Sequence, residues 1–142
     1  MNMNSVLVIC VGNICRSPVG EMMLRQRCPH LTVGSAGIAA LVGHDLYPLA
    51  REVAMEKQLR ITPHQARQLT ASLCQDWDLL LVMEKKHLEL VNRIAPEARG
   101  KTLLFGHWSG RDIPDPYRKD REFFLKVHQM LDDAASDWAR VL

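Results

Sequence analysis

The sequence predicts an α/β fold, a four-stranded parallel sheet flanked by helices on both faces. Three observations carry that expectation. Residues 5–10 and 78–83 are apolar runs without alternation, the pattern of strands buried on both faces. Strand-like and helix-like segments alternate along the chain. At 142 residues and 47% hydrophobic, the chain suits one domain, residues 1–142, with a full core.

The first strand spans residues 5–10. Ser17 is a good N-cap and Pro18 suits a first helical position, so a helix starts there and runs to about Arg27. Its Met22, Met23 and Arg25 stems turn toward the sheet, and Pro29 closes it. Residues 31–33 form a short second strand that ends in Gly34-Ser-Ala-Gly37. Residues 38–47 read as loop. Pro48 opens a helix to about Leu59, with Leu49, Val53 and Lys57 on one stripe. Residues 60–69 are irregular, and 70–74 supply one helical turn. After the strand at 78–83, residues 85–95 are helical and bury Leu88, Val91, Ile94 and Ala95. Residues 101–105 are the last strand. Residues 106–118 hold Gly106, Gly110, Pro114 and Pro116 and are loop. From about Lys119 a helix runs to the end, with Phe124, Val127, Leu131, Ala134, Ala135, Trp138 and Val141 at helical spacing. Ligands of such sheets bind beyond the carboxyl ends of the strands. Segments 10–17, 34–37 and 105–117 are therefore expected on one rim.

Composition removes several classes of function. A net charge of +2, without a basic run or basic–aromatic interleaving, argues against nucleic acid as a partner. Residues 1–5 carry no basic n-region, and the apolar run after them is too short for a signal or a span. A soluble cytoplasmic protein without membrane insertion is expected. In a reducing compartment its four cysteines are catalytic, redox-sensing or buried rather than disulfide-bonded. Cys10 and Cys15 stand too far apart for the usual close ligand pair, and the six histidines show no paired spacing. No metal or other cofactor is expected.

The chemistry concentrates in Cys10-Val-Gly-Asn-Ile-Cys-Arg-Ser-Pro18, where a buried strand hands over to a helix. A phosphate dianion wants backbone N–H groups, a helix N-terminus and a fork of arginine donors. The amides of Val11, Gly12, Asn13, Ile14, Cys15 and Arg16 can wrap such an anion. Gly12 permits close approach, and Asn13 tolerates a left-handed backbone. Arg16 chelates two oxygens and holds transition-state charge. The same amides and helix dipole stabilise a thiolate at Cys10, to which the Ser17 hydroxyl can donate. That thiolate attacks phosphorus in line and forms a phosphocysteine, splitting hydrolysis into two displacements. The leaving oxygen needs an acid. Asp115, between Pro114 and Pro116 in the loop after the last strand, lies on the same rim and is held stiffly.

Residues 10–18, followed far downstream by Asp115-Pro-Tyr117, resemble the low-molecular-weight protein tyrosine phosphatases. Further markers fall in order: Gly34-Ser-Ala-Gly37, His64-Gln-Ala-Arg-Gln68 and Val82-Met-Glu84. Leu104-Phe-Gly-His-Trp108 and Ile113-Pro-Asp-Pro-Tyr-Arg118 are most similar to the bacterial members that serve capsule or exopolysaccharide export. Those members act on the phosphotyrosine-rich cytoplasmic tail of a membrane tyrosine kinase. The resemblance implies that Cys10 is the nucleophile, Arg16 the phosphate and transition-state ligand, and Asp115 the acid and then the base. It implies that Asn13 holds the loop in a strained form, with Ser17, Ser35 and His64 in a supporting hydrogen-bond network. Cys15 is the family's neighbouring thiol, which traps an oxidised Cys10 as a disulfide. The cleft walls should come from Tyr117 and from the 38–47 loop. Many relatives carry an aromatic residue near position 41, where this chain has Leu41. Relatives often carry Asp where this chain has Glu84, a milder change behind the site.

Two rivals share parts of this pattern. A thiol-dependent arsenate reductase of the same fold needs two more cysteines on a mobile segment, and only Cys74 stands in the relevant region. A non-enzymatic phosphopeptide-binding module has no need of Cys10 or Asp115. A phosphocysteine carrier would omit Arg16, because arginine promotes hydrolysis.

Overall fold

The computed structural model describes residues 3–142. Its elements run β1 (Ser5–Cys10), α1 (Arg16–Arg27), β2 (Thr32–Gly37), α2 (Pro48–Glu56), α3 (Ala71–Gln75), β3 (Leu79–Val82), α4 (Lys85–Ile94), β4 (Thr102–Leu104) and α5 (Arg121–Ala139). Short 3-10 turns precede and follow β4 at Pro96–Lys101 and His107–Ser109. The four strands are parallel in the order β2-β1-β3-β4. The expected α/β sheet is therefore present, with its strand count and direction. None of the described helices is long and apolar enough to cross a membrane.

The unalternating run of β1 is explained by two cores. Val6, Val8 and Cys10 pack with Val19, Met22 and Met23 of α1 and with Phe124, Val127, Leu131 and Trp138 of α5. Leu7 and Ile9 pack on the other face with Leu80, Val82, Cys74 and Val91. Both faces are dry, so every side chain from Val6 to Ile9 is fully buried. Each such aliphatic burial stabilises the fold by about 1.5–3 kcal/mol. The Asp120 carboxylate accepts from Phe123 N at 2.9 Å and starts α5. Trp138 Nε1 donates to Phe105 O at 2.8 Å and ties the last turns of that helix to the end of β4.

Four local expectations change. Ser17 does not cap α1: the helix begins at Arg16, Cys15 holds the N-cap position without a side-chain cap, and the Ser17 hydroxyl is spent elsewhere. Segment 34–37 is not a rim loop. It continues β2, because Leu7 to Cys10 offer it a ladder as far as Gly37. The loop that reaches the rim is 38–47. Helix α2 stops at Glu56 rather than Leu59, since Gln58 turns left-handed with φ 64°. Val141 lies beyond α5 and is exposed.

The chain leaves β1 toward β2 on one side and later returns to β3 on the other. A crevice opens at such a switch point, outside the carboxyl end of the strand. Cys10, the last residue of β1, stands there.

Two imidazoles give this fold a pH signature. Burial pushes the pKa of His87 in α4 and of His128 in α5 below the usual 6.5; Arg16 adds to this for His87, and Lys57 for His128. Both stay neutral in the folded state where the unfolded chain takes up protons. Their contribution is whole above about pH 6.5 and is lost as the pH falls below it. Urea unfolding should show a lower midpoint at pH 5 than at pH 7, and His128→Gln should flatten the slope. A flat profile for the parent would contradict this.

Candidate active site

Residues 10–14 are held from outside by their carbonyls. Ile38 N donates to Cys10 O at 2.9 Å, Ala39 N to Val11 O at 3.0 Å, Leu41 N to Gly12 O at 3.1 Å and Tyr47 N to Ile14 O at 2.9 Å. The remaining carbonyl, Asn13 O, lies 2.6 Å from His64 Nε2. A carbonyl only accepts, so that nitrogen carries the hydrogen. The 38–47 loop, which sequence reading treated as a source of cleft walls, is thus also a clamp. The end of β2, just ahead of that loop, packs so close that a Cβ on Gly37 would meet Val11 O at 2.5 Å. With the carbonyls committed outward, the peptide amides are left to the cleft.

Asn13 is the knot of this loop. It is fully buried and left-handed, with φ 59°. Its Nδ2 donates to Ser17 Oγ at 2.7 Å and Ser35 Oγ at 2.9 Å, while its Oδ1 accepts from Arg67 N at 3.0 Å. Because Ser17 Oγ accepts from Asn13, its own hydrogen is free for Cys10 Sγ, 2.9 Å away. Asn13 N also donates to that sulfur at 3.3 Å. Cys10, Asn13, Ser17, Ser35 and His64 are therefore one connected network. Ser35 reaches it from within β2.

Arg16 is almost wholly buried at the start of α1. Its Nη1 donates to Glu84 Oε2 and to Ile113 O, both at 2.8 Å. Its Nη2 lies 3.8 Å from Asp115 Oδ2. One nitrogen is committed to the scaffold, and the rest of the fork faces the cleft. The loop carrying Asp115 is stitched to the same corner. Ile113 N donates to Met83 O at 2.9 Å, and Asp112 Oδ1 accepts from Lys85 N, the first amide of α4, at 3.0 Å. Asp115 stands half exposed with Oδ1 accepting from Tyr117 N at 3.1 Å.

Cys10, Val11, Gly12, Ile14, Cys15 and Arg16 floor a cleft of about 220 Å³, walled by Ala39, Leu41, Asp115 and Tyr117. Tyr117 is backed by Tyr47 at 5.2 Å edge-to-face, and Tyr47 stacks on Phe124 at 5.6 Å. The Arg118 guanidinium sits 5.2 Å from the Tyr117 ring centroid. Leu41 and Tyr117 are exposed apolar side chains on the cleft wall. Cys15 is buried beneath the loop. Burial pushes its thiol well above the ordinary range, with the charges of Cys10 and Asp115 adding and that of Arg16 opposing. All four cysteines are free thiols. Among the described residues no three His, Cys, Asp or Glu side chains are placed to hold a metal ion.

Every candidate residue read from the sequence lies in this cleft or in the network behind it. Sequence reading missed the direct bond of Glu84 to Arg16, the Ile113 carbonyl, and the backbone N–H of Arg67. Glu84 was legible only as a departure from Asp. The other two are main-chain groups, which leave no mark in side-chain identity.

Fold and site together define an α/β protein with a cysteine at the base of an oxyanion-type loop, placed at a sheet's switch point. Residues 5–142 match the family described as low molecular weight phosphotyrosine protein phosphatase. The chain is 51% identical over 140 residues to the low molecular weight protein-tyrosine-phosphatase Wzb of Escherichia coli (strain K12), covering 98% of this chain and 95% of that one. It is 50% identical over 140 residues to the probable low molecular weight protein-tyrosine-phosphatase AmsI of Erwinia amylovora, covering 98% and 97%. Its structure matches that of Vibrio vulnificus Wzb in complex with benzylphosphonate with a TM-score of 0.97 at 52% identity, over 99% of this chain and 100% of that one. The chain belongs to the low molecular weight phosphotyrosine protein phosphatase family, and its enzyme class is protein-tyrosine-phosphatase.

The Asn13 knot yields a stability test. Asn13→Ala leaves buried partners unpaired and keeps a left-handed backbone, so it should cost about 2–4 kcal/mol in urea unfolding. Asn13→Gly loses the same hydrogen bonds without the backbone penalty and should recover about 1 kcal/mol. Equal losses for the two variants would show that the backbone conformation carries no cost.

Proposed function

We propose that this protein hydrolyses phosphotyrosine in proteins through a phosphocysteine intermediate. The observation that carries this is the meeting of Cys10, Arg16 and Asp115 around one cleft of about 220 Å³ with apolar lips. Support also comes from relatives: the Vibrio vulnificus Wzb structure holds benzylphosphonate, which joins a phosphonate to an aromatic ring, and a structure of Escherichia coli K30 Wzb holds phosphate.

The phosphoryl oxygens occupy the amides of residues 11–16 and the free side of the Arg16 fork. Leu41 and Tyr117 flank the ring. The Cys10 thiolate, accepting from Ser17 Oγ and Asn13 N, attacks phosphorus in line. The S–P bond forms as the P–O bond to tyrosine breaks, and Asp115 passes its proton to the leaving oxygen. Arg16 and the amides hold the charge spread over the equatorial oxygens. Asp115, now a carboxylate, takes a proton from water. That water attacks phosphorus, the S–P bond breaks, and inorganic phosphate and the thiolate are released. No step calls on a cofactor.

The substrate read from the bacterial resemblance is the phosphorylated cytoplasmic tail of a membrane tyrosine kinase that serves capsule or exopolysaccharide export. The setting is the cytoplasm. Cys74, the remaining candidate for a thiol relay, is fully buried in the core on α3, which gives no support to arsenate reduction.

Cys10→Ser should abolish hydrolysis of an aryl phosphate, and a chelator should leave the parent rate intact; full activity in Cys10→Ser would overturn the mechanism. Asp115→Asn should lower turnover of phosphotyrosine by about 10²–10⁴-fold, and far less for p-nitrophenyl phosphate, whose leaving group needs little protonation. Equal losses on both substrates would remove Asp115 as the acid. The Asp115→Asn form, used as bait in a lysate, should retain a tyrosine-phosphorylated kinase; retention of none would remove that partner. Peroxide should inactivate the enzyme reversibly, and Cys15→Ser should make the loss harder to reverse with thiol. Equal recovery would leave Cys15 a packing role.

A further inference from the structure

His87 is a buried titratable group that this mechanism does not use. It is fully buried in the first turn of α4. Its Nδ1 accepts from Glu84 N at 3.2 Å, so in the neutral ring the hydrogen sits on Nε2. Nε2 is buried and makes no hydrogen bond. A buried polar atom of this kind calls for an explanation. The charged oxygen facing it, at 3.4 Å, is Glu84 Oε2. That same oxygen accepts from Arg16 Nη1 at 2.8 Å. Glu84 Oε2 therefore stands between the guanidinium that faces the cleft and an imidazole donor with nothing else to bind.

We infer that His87 is a positioning residue for catalysis: its Nε2–H steers the Glu84 oxygen that fixes Arg16, and so sets the direction of the guanidinium fork. The inference rests on the phosphatase reading of the cleft. Arg16 must present two donors at fixed angles to an oxyanion, and its Nη1 is oriented by two acceptors, Glu84 Oε2 and Ile113 O. Ile113 O is main chain and is held by the stitched acid loop. Glu84 Oε2 ends a flexible side chain with three torsions, and Lys86 Nζ pulls on its other oxygen from 3.8 Å. The His87 backbone N–H caps the Glu84 carboxylate, and the His87 ring, anchored by the Glu84 amide, brings a second donor toward Oε2. With an oxyanion in the cradle, part of the Arg16 charge is answered by the ligand. The Glu84 oxygen then has more to offer Nε2–H, and the 3.4 Å contact shortens to a hydrogen bond.

The test begins by confirming metal-free hydrolysis of an aryl phosphate by the parent; its absence would sink the phosphatase reading, not this inference. His87→Asn keeps an acceptor near the Glu84 amide and loses the donor toward Oε2. It should lower kcat about tenfold and raise the inhibition constant of inorganic phosphate by a similar factor. Glu84→Gln should do the same, and in that background His87→Asn should change either constant less than about twofold, because the two residues act on Arg16 in series. Unchanged constants in a folded His87→Asn protein, or equal losses in both backgrounds, would show His87 to be structural only. Should that variant not fold, ¹⁵N spectra of the parent decide. The His87 ring is expected as the neutral Nε2–H tautomer, with its Nε2 signal moving when inorganic phosphate saturates the cleft. The Nδ1–H tautomer, or no movement, would overturn the inference.

Discussion

The site depends on where the carbonyls of residues 10–14 go. A short loop cannot present several amides to one point while its carbonyls also face that point, because the oxygens would repel the anion. Here each of those five carbonyls has a partner on the outer side: four backbone amides from residues 38–47, and the His64 ring. The left-handed turn at Asn13 reverses the chain's course within the loop, and the Asn13 amide group then locks the loop to β2, α1 and the 64–68 segment. A conformation that costs about 1–2 kcal/mol at a non-glycine residue is held by three hydrogen bonds. Strain and its restraint are in the same side chain.

The second constraint is a charge. Arg16 is buried nearly as completely as the core leucines. An unpaired guanidinium there would be severely destabilising, so the fold surrounds it with Glu84, the Ile113 carbonyl and, at longer range, Asp115. That arrangement does two jobs at once. It satisfies the buried charge, and it ties the loop carrying Asp115 to the start of α1 through one residue. Arg16, Ile113 and Met83 join α1, the loop carrying Asp115 and the residue after β3 in a continuous chain of hydrogen bonds. Cys10 and Asp115 thus line one cleft together with Arg16, although they are far apart in sequence.

Much of this was legible beforehand. Buried runs at 5–10 and 78–83 marked β1 and β3, since only a sheet covered on both faces needs unbroken apolar strands. Cys10, Arg16 and the Gly12-Asn13 pair stood out by residue type and close spacing, and the structure places them in one loop after β1. The errors have physical causes. Ser17 carries the strongest N-cap signal in the segment, yet its hydroxyl is claimed by Cys10 and Asn13, and the helix starts without it. Gly34 and Gly37 argued against a strand by propensity, but β1 supplies a full ladder of partners to Gly37. Both glycines sit where a side chain would collide: at Gly34 with Trp77 and Arg67, at Gly37 with Val11 O. Glycine there reports close packing, which a single sequence does not distinguish from a turn.

What the sequence determined by itself was the chemistry. A thiol, a helix start, an arginine and a glycine within a few residues are the parts of an oxyanion cradle, and their types and spacing are readable locally. The rest is non-local. That Glu84 and Ile113 grip Arg16, that the 38–47 loop and His64 hold the carbonyls of residues 10–14, and that Asp115 and Tyr117 line one cleft with Cys10 all require residues 28 to 107 positions apart to meet at one sheet edge. No periodicity encodes such meetings. They follow from the strand order β2-β1-β3-β4, which opens the crevice at the end of β1 and brings the later loops to it.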